Sequence, residues 1–346
     1  MFGPRRGGGN DLFETFSEVQ LGKASRELFP LHALKVTAAA ELLVASRRTR
    51  CAPAHTQCLE NGATSKIALK LKQRALAAAA AASAAASAAA SAAPSYCSEA
   101  GWSTLWADEF DTFDATAWSV TNGTARDDSY CRDAMCLASN VAVRGGALVL
   151  TARREAAGWA SFTTGAVASQ NKRSFGAAPG RPVRFCVSGK LPGTPETGAG
   201  YWPAFWLMPN TGACWPDNGE LDLMEEINGD GVEHFTYHVS PLNATACHGG
   251  PVQEAAGASV PVPTMASAWH EYAVEIALGQ FAFVVDGAVV WNSTSRPDLP
   301  VHDVPWYVIL NFAIGGPWPK APTAATVFPA ETLVDYVRVA QLDAAA

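Results

Sequence analysis

Gly219-Glu220-Leu221-Asp222-Leu223-Met224-Glu225-Glu226-Ile227-Asn228 sets acidic side chains into an apolar run at uneven spacing. In a regular strand, side chains alternate between faces with period two, so Glu220 and Asp222 share one face and Leu221 and Leu223 lie behind them. Glu225 is an odd number of positions from Glu220 and would point away in an undisturbed strand. One extra residue, a β-bulge at or near Met224, restores the parity and returns Glu225 to the face of Glu220. Three carboxyl groups then stand in a row, where each charge makes the next harder to form.

Such crowding suits one kind of chemistry. Cleavage of a glycosidic bond with retention uses two carboxyl groups roughly 5–5.5 Å apart, one ionised as nucleophile and one protonated as acid. Asp222, between them, can hydrogen-bond the nucleophile and help keep a proton on Glu225. An isolated Glu-x-Asp-x-x-Glu fits an acidic edge strand facing water at least as well, so the rest of the chain has to decide.

Outward from this stretch the texture is β. Trp102–Trp106, Asn140–Arg144, Ala147–Thr151, Arg181–Ser188, Tyr201–Met208, Phe235–Val239, His270–Ile276, Trp306–Ile314 and Leu333–Val339 read as strands. Phe281–Val285 and Ala288–Trp291 flank Asp286-Gly287, a hairpin signal. Short strands with Gly/Pro turns and almost no helical periodicity predict an all-β, two-sheet antiparallel sandwich spanning 97–346. Trp202, within a strand, is read as core.

Charge and aromatic content divide the chain of 346 residues. Residues 1–75 carry a net charge of +6 and residues 76–346 a net of −13, and all 11 Trp lie at or beyond Trp102. An acidic, Trp-rich body argues against a nucleic-acid partner and for a neutral ligand that stacks on rings. Six body cysteines, Cys97, Cys131, Cys136, Cys186, Cys214 and Cys247, and sequons at Asn122, Asn243 and Asn292 point to an oxidising, secretory route. The pairing of those cysteines is left open.

Residues 1–75 show no alternating strands and form a basic leader. Lys70, Lys72 and Arg74 precede an Ala/Ser run that ends at Pro94-Ser95, so 76–96 is either a signal-like segment or a low-complexity linker. A processed leader, a transit segment and a signal-anchor are all compatible with it. Alanine is feebly apolar, so no membrane-spanning helix and no stable membrane partner are expected.

In order, Trp106-Ala-Asp-Glu-Phe110, Asn140-Val-Ala-Val, Lys190-Leu-Pro192, Trp202-Pro-Ala-Phe-Trp206, Glu220-Leu-Asp-Leu-Met-Glu225, Leu310-Asn-Phe-Ala-Ile-Gly-Gly316 and Asp335-Tyr-Val-Arg-Val339 resemble glycoside hydrolase family 16. The bulged signature, with Trp215-Pro216 ahead of it, is similar to the laminarinase-like β-1,3(4)-glucanase branch. The resemblance implies a concanavalin A-like jelly roll with a cleft on its concave face, and a monomer that acts on a β-glucan polysaccharide. It implies Glu220 as nucleophile, Asp222 as assisting carboxylate and Glu225 as acid/base. Glu226, which shares the parity of Glu220 without a bulge, is the rival for that last role. It implies Trp206, Trp215, His238 and Asn140 as substrate-side residues, with Asn311 at or behind the cleft. No cofactor is required, although a structural calcium near Glu109 and Asp335 is implied by some family members.

The chain also departs from the family pattern. Thr164-Gly-Ala166 stands where Ser-Gly-Arg is usual, and Phe185-Cys-Val-Ser188 where Phe-Glu-x-Arg is usual. Transglycosylation, or hydrolysis of another β-glycan such as a galactan, is therefore a second expectation. A non-catalytic glucan-binding protein is the third, and the three intact carboxyl residues argue against it.

Overall fold

The computed structural model describes residues 95–126, 128–240 and 254–344. The expected leader and Ala/Ser run up to residue 94, Cys247 and the Asn243 sequon lie outside the described residues. Among the described residues no helix is long and apolar enough to cross a membrane.

Two antiparallel sheets form the body, as the alternation predicts. One runs β15 (Ala288–Asn292), β14 (Gln280–Val285), β13 (His270–Ala277), β8 (Val183–Lys190), β17 (Ala330–Leu342), β5 (Ala147–Ala152), β4 (Val141–Arg144), with β1 (Trp102–Asp108) also on β17. The other runs β12 (Glu254–Pro261), β11 (Val232–Val239), β10 (Glu220–Glu225), β9 (Tyr201–Pro209), β16 (Trp306–Ile314), β7 (Ala166–Ala168), β2 (Ser119–Val120). A small parallel pair, β3 (Met135–Cys136) with β6 (Thr163–Thr164), forms a third sheet.

The core fills the space between the sheets. Phe185, Val187, Tyr272, Val274 and Phe283 from one sheet share a cluster with Phe205, Leu221, Phe235, Leu310 and Phe312 from the other. Ring pairs cross the gap, Phe205 with Tyr272 at 6.0 Å and Phe235 with Phe283 at 5.2 Å between centroids, in the tilted and edge-on arrangements that rings prefer. All nine residues of β16 are buried. Its alternate residues Val308, Leu310 and Phe312 enter this core, while Tyr307 and Ile309 pack with Trp206 on the sheet's opposite face. That opposite face carries the cleft.

Local chemistry sets the turns. Asp286 and Gly287 have φ of 48° and 76°, the left-handed pair that a two-residue hairpin turn demands. Two disulfides, Cys97–Cys186 and Cys131–Cys136, are formed, and Cys214 is disulfide-bonded as well. β12 escaped the sequence reading because Glu-Ala-Ala-Gly-Ala-Ser-Val-Pro has little β propensity; it exists as an added strand on β11, paired from Val232↔Pro261 to Val239↔Glu254.

Candidate active site

The expected bulge is present. On the β11 side, Asp222 pairs with Thr236 and Glu225 with His234, so β10 spends three steps where its partner spends two. On the β9 side, Asp222 pairs with Trp206 and Met224 with Phe205, which puts the extra residue at Leu223, within the stretch expected at or near Met224. Leu223 and Met224 consequently both face the core, 1% and 0% exposed. Glu220, Asp222 and Glu225 emerge together on the other face and line one cleft of about 410 Å³.

Aromatic side chains shape this cleft and bind its acids. Trp215 Nε1 donates to Glu220 Oε2 at 2.7 Å, and Trp202 Nε1 donates to Glu225 Oε1 at 2.8 Å. Trp206 lines the cleft with its indole N–H on Asn311 Oδ1 at 2.7 Å, and Asn311 in turn donates to the carbonyl of Tyr130 at 2.8 Å. Gly219, just before Glu220, has φ +92°. A Cβ there would come within 2.8 Å of the Tyr237 ring, so this entry to the acidic strand requires glycine.

Burial governs the electrostatics. Asp222 is 4% exposed. Burial first, then the Asp222 charge, push the Glu220 carboxyl up to about 8, against the pull of His238 and the Trp215 hydrogen bond. Burial and then Asp222 likewise push Glu225 up to about 8, opposed by Trp202, His238 and Arg132. Asp222 itself rises to about 8 through burial. The three titrate as one interacting set in which each proton lost makes the next harder to remove.

His238 Nε2 stands 3.3 Å from Asp222 Oδ2 and 4.0 Å from Glu220 Oε1. One donor atom from each of Glu220, Asp222 and His238 lies within 4.8 Å of the others, a spacing a divalent cation can bridge. The structure thus gathers Glu220, Asp222, Glu225, Trp206, Trp215 and His238 at one place.

Other expectations are corrected. Asn140 is not in the cleft; it is 1% exposed, donating to Thr163 Oγ1 at 2.8 Å and accepting from Arg153 Nε at 2.9 Å. It braces the loop beside β6 instead. Glu226, the rival acid, is 2% exposed and turned from the cleft, with Oε1 accepting from the Gly231 amide. Trp202, read as core, lines the cleft; it lies four residues before Trp206 in an unbroken register, so period two puts both rings on one face. Glu109 gives both carboxylate oxygens to Arg338, at 2.7 and 2.8 Å. Burial first, then the Glu109 charge, raises the pKa of the Asp335 carboxyl. Arg132 and Tyr130 in the cleft wall had no motif to reveal them; they come from a loop closed by the Cys131–Cys136 disulfide.

Residues 191–268 match the family model described as the XgeA-like, catalytic GH16 domain. The chain is 30% identical to a beta-glucanase of Rhodothermus marinus over 261 residues, 69% of this chain and 85% of that protein. It is 31% identical to a keratan-sulfate endo-1,4-beta-galactosidase of Sphingobacterium multivorum over 251 residues, 69% of this chain and 55% of that one. In three dimensions it is similar to the laminarinase from Rhodothermus marinus, with a TM-score of 0.58 at 29% identity, covering 69% of this chain and 97% of the other.

Proposed function

The chain belongs to glycoside hydrolase family 16, and from that premise we propose that it is a retaining endo-hydrolase of β-1,3-linked glucans, mixed β-1,3/1,4 chains included. One observation carries the proposal: the bulge at Leu223 turns Glu220, Asp222 and Glu225 into a single cleft floored by Trp206. A pyranose presents axial C–H groups that pack on such a ring, and its β-linkage then lies between the two acids.

In the proposed reaction, the ionised Glu220 attacks the anomeric carbon. The glycosidic C–O bond breaks as the proton of Glu225 passes to the leaving oxygen. Glu225, now ionised, takes a proton from water, the resulting hydroxide attacks the same carbon, and Glu220 is released as carboxylate. The Trp215 and Trp202 N–H groups favour the anionic forms of Glu220 and Glu225 alike, and the Asp222 charge favours a retained proton on both. The division of labour between the two glutamates therefore follows the family resemblance, with Glu220 as nucleophile and Glu225 as acid/base.

The test is turnover of laminarin by Glu220→Ser, with circular dichroism to establish the fold. Loss of sugar release in a folded variant supports the assignment, and retained release rejects it. The identity to the keratan-sulfate endo-1,4-beta-galactosidase favours a second reading, a β-galactan hydrolase. A reducing-sugar panel of laminarin, lichenan, xyloglucan and agarose separates the two.

We also assign the chain to a secreted or cell-wall location. Support comes from the disulfides and from the exposed Asn122 and Asn292 of the two described sequons.

A further inference from the structure

Among the described residues lining the cleft, Arg132 is the one arginine or lysine, and it stands at the Glu225 end. Its backbone occupies the left-handed region at φ 55°, uncommon outside glycine and costing about 1 kcal/mol or more. Its guanidinium lies over the Trp202 ring, 4.9 Å from the centroid, which fixes the plane of the fork. Gly316 leaves room for it, since a Cβ there would press on the Arg132 side chain at 3.3–3.5 Å. Nε is buried yet has no hydrogen-bond partner, and among the described residues no carboxylate forms an ion pair with this side chain. An arginine held in one plane, with its donors unspent, is built to receive something from outside.

A planar fork of N–H donors matches a carboxylate or sulfate oxygen pair far better than single hydroxyl groups. We propose that Arg132 is a specificity-determining residue that receives an anionic substituent, a sulfate ester or a sugar carboxylate, on the β-glycan unit bound at the Glu225 end of the cleft. The inference rests on the glycosidase reading for the identity of the ligand, but its test does not need turnover. Repulsion from the nearby acids opposes such binding. It is weakest at the Glu225 end, where the acid/base of the proposed reaction carries a proton, and an anion beside Glu225 helps hold that proton there.

The experiment uses two matched pairs of probes and titration calorimetry on the whole chain. One pair is a sulfated β-1,3-glucan oligosaccharide and its desulfated form. The other is the same oligosaccharide with a C6 carboxylate and its unoxidised parent. The intact protein is expected to bind at least one anionic member about 10-fold more tightly than its neutral partner, the size of one charge-assisted hydrogen bond. Arg132→Gln should bring that ratio close to one, and Arg132→Lys, which keeps the charge but loses the fork, should retain only part of it. The two pairs distinguish sulfate from carboxylate. Equal binding within both pairs by the intact protein, or a preference unchanged in Arg132→Gln, overturns the inference even if neutral glucan is hydrolysed. An anionic preference that depends on Arg132, with no hydrolysis of any member, upholds it while the glycosidase reading falls.

Discussion

The indole N–H of Trp215 is 2.7 Å from Glu220 Oε2, so this member of the acid cluster has a donor that favours its charged form. Trp215→Phe keeps the ring and removes that donor. The Glu220 carboxyl, freed of a contact that lowers its pKa, should titrate higher. Since Glu220 must be ionised to attack, the acidic limb of the kcat/KM–pH profile should move to higher pH. Activity at the optimum should fall roughly 10- to 100-fold, matching a hydrogen bond to a charged group. An unmoved acidic limb argues that Glu220 is not the group ionised for attack.

Trp202→Phe is the mirror experiment. Its N–H on Glu225 also lowers a pKa, but Glu225 must be protonated to act as acid. Removing the donor raises that pKa and should move the alkaline limb upward, leaving the acidic limb nearly fixed. The two tryptophan variants should thus shift opposite sides of one bell. If both shift the same limb, the roles given to the two glutamates are wrong.

Glu233 is buried in the sandwich interior, with both carboxyl oxygens unpartnered in hydrogen-bond terms. Burial, then the Glu225 and Glu226 charges, raise its pKa well above the ordinary range. The folded form therefore holds a proton that the unfolded chain releases near pH 4.5. Stability from this group is full below that value and is lost as pH climbs toward the folded pKa. Glu233→Gln removes the penalty, so melting temperature should rise more at pH 8 than at pH 5, by about 2–4 °C for each kcal/mol recovered. Equal shifts at both pH values would place Glu233 in contact with a compensating cation.

The two resolved disulfides close loops of unlike length, with sequence separations of 89 for Cys97–Cys186 and 5 for Cys131–Cys136. On the chain-entropy account, replacing both cysteines of the long loop by Ala should cost about 4.5 kcal/mol, and of the short one about 2 kcal/mol. Urea titration measures both. The short loop carries Arg132, with Tyr130 just ahead of it, into the cleft, so its loss should also raise KM, an effect the long-loop variant should not share.

Much of this was legible in the chain itself, and the failures have physical causes. The parity of Glu220, Asp222 and Glu225 demanded a bulge, because period two leaves no other way to align them. The Asp286-Gly287 turn was equally determined, since few dipeptides accept two left-handed residues in succession. β12 was missed because Ala, Gly and Ser carry little side-chain information, and its pairing to β11 comes from backbone hydrogen bonds. Trp202 was read as core because a large apolar ring in a mostly buried strand suggests packing, although period two already put it on the face of Trp206. Asn140 fell beside the site because amide side chains serve loops and ligands with the same atoms. Arg132 gave no signal at all, as its position depends on a disulfide-closed loop meeting a strand nearly two hundred residues away.

The single supernumerary residue at Leu223 makes this segment tolerant of altered chemistry but intolerant of altered length. Swapping Leu223 or Met224 for another apolar side chain leaves the acids where they are, whereas gaining or losing one position between Asp222 and Glu225 exchanges solvent face for interior at every later residue of the strand. Lineages descending from this chain can therefore drift in what the segment is made of, while its count of residues stays frozen, and a designer grafting the motif elsewhere must transplant that count before any of the carboxyls.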